Sequence, residues 1–488
     1  NPVYTSLWDL RNEAEMGHIQ LSREADLVVV CPATADLLAK MAAGIADDLA
    51  TTLLLATDKR VLAAPAMNVR MWQHAATRRN IAMLRADGVT VIDLPGGLQW
   101  RAAHDPEGYL PGRRFVDEVS ADGVRSLPAG LFPWRHVHGF EPVDAHRTRV
   151  TDEVETPVPE RLLAEVIAFR YRRLAGDLAA HRRAADAGLG PSTVAVTGAS
   201  GLVGTDLVAL LSTGGHRVLR LVRGEPRSED ERRWDPAAPD PTALEGVDAV
   251  VHLAGASIAG RFTPAHKERI AASRIEPTRL LARAVARAGV PVFVSASAVG
   301  WYGRDRGDEI LTEESAAPAE PDFLADVVRR WEAAAHDGAG DGPRVVTVRT
   351  GIVQAPQGGT LKLLLPLFRA GLGGRLGDGR QWQPWVGIDD LVDVYHRALW
   401  DTGLSGPVNA VAPGVVRNAA YTRALGRAVH RPTLLPVPAF GPALLLGREG
   451  ADDLAFASQR VRPGVLEERG HPFRYPAVDD ALAHLLGG

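Results

Sequence analysis

Thr197-Gly198-Ala199-Ser200-Gly201-Leu202-Val203-Gly204 follows directly on the apolar run Val194-Ala195-Val196. A buried strand running into three glycines at this spacing is how a βαβ unit receives a dinucleotide. Gly198 makes the tight turn, Gly201 lets the backbone approach the pyrophosphate, and Gly204 lets the next helix pack closely on its strand. That helix, continuing through Asp206-Leu207-Val208-Ala209-Leu210-Leu211, aims its unpaired N–H groups at the phosphates, where the helix dipole also favours negative charge. Gly214-Gly215-His216 closes it, Val218 to Arg223 reads as the second strand, and Val247 to Gly255 as a later one. Strand, helix, strand and a further strand make a Rossmann half. Ser200, Leu202 and Val203 in the turn, with Leu253, Ala254 and Gly255 after the later strand, are the candidate cofactor contacts.

The tip of the second strand selects the dinucleotide. An acid there would hydrogen-bond a ribose 2′-hydroxyl and favour NAD, whereas an arginine pairs with a 2′-phosphate. The chain offers Arg223, with Arg220 and Arg227 close by, so NADP is expected over NAD.

Length and composition bound the remaining possibilities. At 488 residues, 46% hydrophobic and with a formal charge of −4, the chain is long enough for roughly two to four domains. Its 55 basic and 59 acidic residues are interspersed, which points to neither nucleic acid nor a membrane surface. The single cysteine, Cys31, excludes an internal disulfide framework and a multi-cysteine zinc site, and suits a reducing cytoplasm. No apolar run reaches about eighteen residues. Asn1 stands where an initiator methionine would, so an upstream segment is expected. The expected partner is a small molecule, with self-association left open.

Residues 1–93 alternate apolar strands (Asp26 to Cys31, Arg60 to Ala64) with helical segments such as Leu37 to Ala43, an α/β pattern. His18 within Met16-Gly17-His18-Ile19, Pro32-Ala33-Thr34-Ala35-Asp36, Gly44-Ile45-Ala46-Asp47-Asp48-Leu49 and Pro65-Ala66-Met67-Asn68-Val69-Arg70-Met71-Trp72 occur in this order. They resemble phosphopantothenoylcysteine decarboxylase, an FMN-dependent flavoprotein family. The resemblance implies that Ala33, Thr34 and Asp36 lie along a flavin, that His18 is the active-site base and that Asn68 holds substrate. The family's first strand with its glycine-rich phosphate loop and its cysteine-bearing lid are not found here. The FMN site is therefore expected to be incomplete, and this piece a partial domain.

Residues 94–190 read differently. Gly112 to Val119, Trp134 to Phe140 and Thr148 to Val154 alternate apolar and polar residues between turns, which argues antiparallel strands. A long helix should follow, with Leu162, Leu163, Val166, Ile167, Phe169 and Leu174 near helical spacing. Strands followed by one long helix resemble part of a polyketide-cyclase-like helix-grip (α+β) domain. His136 and His138, two apart on one strand face, invite a metal reading. With no third ligand evident, cross-strand packing is preferred and no metal is expected.

Residues 191–488 continue the dinucleotide half. Val294-Ser295-Ala296-Ser297-Ala298-Val299-Gly300-Trp301-Tyr302-Gly303 follows a strand, and Phe323 to Glu332 forms a helix. Arg349-Thr350-Gly351-Ile352-Val353, Gly373 to Gly379 and Trp385-Val386-Gly387-Ile388-Asp389-Asp390-Leu391 come next. This succession resembles the extended short-chain dehydrogenase/reductases, and within them the nucleoside-diphosphate-sugar epimerase-like subfamily, some members of which carry a helix-grip domain in front. The resemblance implies a doubly wound parallel sheet with a small C-terminal substrate lobe. Such reductases use a tyrosine and a lysine four residues apart, the lysine lowering the phenol's pKa so that it can exchange a proton with substrate. Aligned from Glu332, those positions are Leu324 and Val328, which move no protons. Ser297 matches the serine that polarises a carbonyl, with Tyr302 the nearby phenol and therefore the candidate acid. Trp382, Gln383, Pro384 and Trp385 are expected to line the substrate pocket.

These features leave three functions open: an NADP-dependent oxidoreductase or epimerase with atypical acid–base residues, an NADP-binding protein without turnover, and a remnant of a flavin-dependent decarboxylase. The unlike pieces, with seams near Asp93 and Gly190, also fit a fusion of gene fragments.

Overall fold

The computed structural model describes residues 27–47, 49–65, 75–91, 102–104, 108–119, 134–144, 147–434, 436–437 and 440–487. The chain divides into two compact units, residues 1–162 and 163–488.

In the first unit, β1 (Leu27–Ala33), α1 (Ala35–Ala43), α2 (Leu49–Ala56), β2 (Arg60–Pro65), α3 (Ala75–Ala86) and β3 (Thr90–Val91) build a parallel sheet of order β1-β2-β3. Its core is Val30, Ala33, Leu38, Val61, Ala63, Ile81, Leu84 and Val91. β4 (Ala102–His104), β5 (Arg114–Val119), β6 (Arg135–Pro142) and β7 (Thr148–Glu155) form a separate antiparallel sheet in chain order, as their alternation predicts.

α4 (Glu160–Asp186), a helix of 27 residues, lies almost wholly in the second unit. Then come β8 (Thr193–Thr197), α5 (Leu202–Thr213), β9 (Arg217–Val222), β10 (Glu231–Arg233), β11 (Ala249–His252), α6 (Pro264–Ala272), α7 (Ile275–Arg287) and β12 (Val292–Ala298). They are followed by β13 (Asp305–Leu311), α8 (Phe323–Ala339), β14 (Arg344–Thr350), β15 (Ile352–Gln354), α9 (Gly359–Arg369), β16 (Trp382–Gln383), β17 (Trp385–Gly387), α10 (Ile388–Trp400) and β18 (Gly406–Ala410). β19 (Val416–Arg417), α11 (Asn418–Ala428), α12 (Phe440–Gly450), β20 (Ser458–Val461), α13 (Gly464–Glu468) and α14 (Val478–Leu486) complete it.

Seven strands form one parallel sheet of order β10-β9-β8-β11-β12-β14-β18. The order reverses between β8 and β11, and a doubly wound sheet binds ligands at the carboxyl ends of its strands beside such a switch point. One face packs Val194, Val196, Val251, Val294, Val346 and Val348 against α5 and α10. The other packs Ala195, Val250, Phe293 and Val345 against α7 and α8. Strands covered on both faces read as continuous apolar runs, which is why β8, β11 and β12 stood out in the sequence.

α10 is buried along nearly its whole length, Asp389, Asp390, Asp393 and His396 included. Its acids are paired: Arg173 of α4 bonds Asp206 and sits 3.3 Å from Asp389, and Arg474 bridges Asp177 of α4 at 2.8 Å and Asp393 at 2.7 Å. The helix expected to close the second piece thus belongs to this unit, held by ion pairs that chain order does not reveal. No helix among the described residues is long and apolar enough to cross a membrane.

Candidate functional site

The glycine turn takes the shape its spacing predicts. Gly198 has φ +68°, and a Cβ on it would lie 2.8 Å from the Leu253 carbonyl carbon and 2.9 Å from the Ala254 nitrogen. At Gly204 a Cβ would meet the Gly198 carbonyl oxygen at 2.2 Å, so this glycine sets how closely α5 approaches the turn. At Gly201 the one contact is Gly198 O at 3.1 Å, and this open side lets a phosphate approach the backbone. Gly201 caps α5, and the first-turn N–H groups that follow lack helical acceptors. Ser200 is exposed beside them, as is Arg223 just past the tip of β9.

Leu253, Ala254 and Gly255 are set by a buried polar chain. Thr197 Oγ1 accepts from the N–H groups of Leu253 (3.2 Å) and Ala254 (3.3 Å) and lies 2.7 Å from His252 Nδ1. His252 Nε2 reaches Thr278 Oγ1 at 3.0 Å, which also accepts from Trp331 Nε1 at 2.9 Å. Burial, with Arg274 nearby, pulls the His252 ring down to about 4, so it works here as a neutral linker. The Arg274 guanidinium lies beside Gly255, 3.1 Å from where a Cβ would stand, and burial lowers it to about 10. Its Nη1 donates to the Ile270 carbonyl oxygen at 3.2 Å, and the guanidinium lies 5.2 Å from the Trp331 ring centroid, which leaves a buried cation beside the loop after β11.

The register places the next layer. Ser297 of β12 pairs with Arg349 of β14, and Arg349 with Asn409 of β18, so these three polar residues form a row across the carboxyl end of the sheet. Ser297 Oγ donates to Glu332 Oε1 at 2.5 Å. Glu332 also receives Arg349 Nε and Nη2, each at 2.9 Å, in the forked geometry guanidinium and carboxylate share. Arg349 stacks 4.0 Å from the Trp301 ring centroid and donates to Tyr302 Oη at 3.1 Å.

Two expectations change here. Tyr302 is fully buried, with its hydroxyl 2.7 Å from Asn409 Oδ1 and 2.9 Å from the Thr312 carbonyl oxygen; burial pushes it up to about 12. It packs under the loop and holds Arg349, rather than standing ready as an acid. Trp385 lines no open pocket: it is fully buried in the core of Leu361, Leu365, Tyr421 and Leu425, donating from Nε1 to the Gly414 carbonyl at 2.9 Å. Trp382 is half-buried, bonded to Asp308 at 2.7 Å with Arg417 and Arg460 over its ring.

Leu324 and Val328 stand where the resemblance put the missing pair. A Cβ on Gly300 would lie 3.5 Å from Val328 Cγ2 and 3.8 Å from Leu324 Cβ, so both face the loop that starts at Ser297. Titratable groups gather instead at the start of α8. Asp322 caps that helix and accepts from Arg304 N–H at 2.7 Å, and burial together with Asp322 pushes the Asp453 carboxyl up to about 6.

Glu332, Arg349, Asn409 and Arg274 were not picked out from the sequence. A charge ending the apolar strand Val345-Val346-Thr347-Val348-Arg349 was the available signal, because a charge in a buried strand needs a partner.

In the first unit, Ala33 is buried at the end of β1, and Thr34 caps α1, its Oγ1 accepting from Leu37 N–H at 3.2 Å. Asp36 is exposed and lies 3.5 Å from Lys40. The Thr34 cap fills one open donor of this helix start, and the Asp36 carboxylate stands in its first turn near the positive end of the dipole. His18 and Asn68 lie outside the described residues. The third group missing beside the two strand histidines is Asp152: His136 Nε2 and His138 Nδ1 each approach its Oδ1 at 2.8 Å, and His138 Nε2 lies 3.1 Å from Asp117.

Comparison with known proteins agrees with this geometry. Residues 1–108 match the flavoprotein family, 194–410 the NAD dependent epimerase/dehydratase family, and 437–485 a domain of unknown function, DUF1731. An epimerase family protein of Mycobacterium bovis is 43% identical over 296 residues, covering 60% of this chain and 97% of that protein. The crystal structure of a nucleoside-diphosphate sugar epimerase from Corynebacterium glutamicum matches with a TM-score of 0.67 at 44% identity, over 81% of this chain and 79% of that one. Human epimerase family protein SDR39U1, isoform 2, crystallised with NADPH, matches with a TM-score of 0.56 at 33% identity, over 60% of this chain and 99% of that one. On the sheet order, the glycine turn and relatives spanned almost end to end, the chain belongs to the NAD dependent epimerase/dehydratase family.

Proposed function

We propose that residues 191–488 bind NADP(H) and transfer hydride between it and a small molecule, with the proton moving through Ser297 and Glu332 in place of a tyrosine–lysine pair. The 2.5 Å contact of Ser297 Oγ with Glu332 Oε1 carries this reading. The bound nicotinamide would exchange hydride at its C4. The N–H groups of Leu202 and Val203 would hold the pyrophosphate and Arg223 the 2′-phosphate; the human relative crystallised with NADPH supports NADP over NAD. Ser297 Oγ donates its hydrogen bond to Glu332, so its lone pairs are left to accept one from a substrate hydroxyl. When hydride leaves the substrate carbon, the hydroxyl proton passes to Ser297 Oγ and the serine proton to Glu332 Oε1, leaving a carbonyl. Reduction runs the same relay backwards. Arg349 fixes the carboxylate for this exchange.

Ser297→Ala should cut turnover by roughly 10²–10⁴-fold, the usual span for a lost acid–base group, while NADPH affinity stays unchanged. The assay follows nicotinamide absorbance across a panel of sugar nucleotides, aldehydes and ketones. Full activity in Ser297→Ala would remove the serine from the chemistry.

A second reading, NADP(H) binding without turnover, is favoured by the apolar Leu324 and Val328. Under it no substrate of the panel is consumed and the bound nucleotide biases the protein's conformation. For residues 94–190 the helix-grip reading rests on the antiparallel strands alone.

A further inference from the structure

Three histidines from distant parts of the second unit converge at the end of the sheet opposite the glycine turn. His181 comes from α4, His216 from the link between α5 and β9, and His396 from the last turns of α10. One donor nitrogen from each lies within 4.8 Å of the others, and the ring centroids are 5.1 Å (His181–His396), 6.1 Å (His216–His396) and 6.4 Å (His181–His216) apart. His396 is only 1% exposed, and Nε2 of His396 and of His181 are buried without a hydrogen-bond partner. His216 Nδ1 accepts from Ser192 N–H at 3.3 Å.

Burying imidazole nitrogens unpaired is costly, and rings facing one another cannot all be satisfied by each other. Three imidazoles meeting in one buried space therefore leave inward-facing nitrogens that no protein donor fills. The backbone makes room for the arrangement as well: a Cβ at Gly214 would fall 2.1 Å from His181 Cε1 and 2.5 Å from its Nδ1. The ring occupies space that only glycine leaves.

We propose that His181, His216 and His396 form a binding site for a borderline divalent cation, with zinc as the expected occupant. Three neutral imidazoles without a carboxylate suit zinc and its neighbours rather than magnesium or calcium. Because His216 precedes β9 and Ser192 precedes β8, the site lies at the amino ends of the strands, remote from the dinucleotide turn. It ties α4 to the base of the sheet and takes no part in hydride transfer.

The test uses the full chain, stripped with chelator and titrated with zinc, with cobalt as a spectroscopic probe of imidazole ligation. Zinc at about one hundred times its Kd should raise the Tm by roughly 5 °C without changing NADPH affinity. His181→Gln and His396→Gln should each lose this shift and the cobalt spectrum, with retained NADPH binding certifying their fold. His136→Gln, in the other histidine group, should keep both. Absence of zinc uptake by the unaltered chain, or uptake that survives His181→Gln and His396→Gln but is lost in His136→Gln, would overturn the proposal.

Discussion

Gly204→Ala is expected to weaken NADP(H) binding roughly ten- to hundredfold while leaving the protein folded. The added methyl would stand 2.2 Å from the Gly198 carbonyl oxygen and 2.8 Å from Ala199 Cα, both backbone atoms of the turn that must cradle the phosphates. No flexible side chain can yield there, so the helix and the turn separate. Overpacking of this kind costs about 1–3 kcal/mol, roughly a ten- to hundredfold loss of affinity when it falls on the binding geometry. Gly190→Ala, with nothing near its Cβ, is the control. Fluorescence titration with NADPH reads the difference, and an affinity equal to that of the control would mean that the turn does not hold the nucleotide.

The second large effect concerns stability. Arg349 and Glu332 are nearly inaccessible to solvent (side chains 2% and 7% exposed) and pair through two hydrogen bonds. Removing one partner leaves the other as an uncompensated buried charge, which typically costs about 3–5 kcal/mol. Arg349→Met should therefore lower the urea midpoint sharply. The double change Arg349→Met with Glu332→Met should recover much of the loss, because a buried pair and an apolar replacement of similar size are often close in stability. If Arg349→Met alone moved the midpoint no more than an exposed substitution such as Arg329→Met, the pair would contribute no stability.

How much of this was legible in the sequence depended on how local each feature is. The strand, glycine turn and helix from Thr193 to Thr213 are set by neighbours in the chain, and their pattern carried over into the structure glycine by glycine. The Ser297–Arg349–Asn409 row is non-local, because it exists only when β12, β14 and β18 pair in a particular register. Nothing near Arg349 in the chain announces Glu332 as its partner. In the sequence Trp385 reads as a pocket residue and Tyr302 as the nearby acid, because nothing local shows that either is buried. What buries them is distant: Gly414 for one, Asn409 and Thr312 for the other. The acids of α10 resemble a solvated helix start, and only the arginines of α4 and Arg474 explain why they are inside. The same holds for His181, His216 and His396, whose separation hides a cluster that the fold assembles.

Mass spectrometry of the small molecules released when the purified protein is denatured tests directly whether residues 191–488 hold NADP(H). NADP(H) should be the nucleotide released, in excess of NAD(H), and without FMN. Release of FMN with no dinucleotide would contradict it and move the functional centre to the first unit.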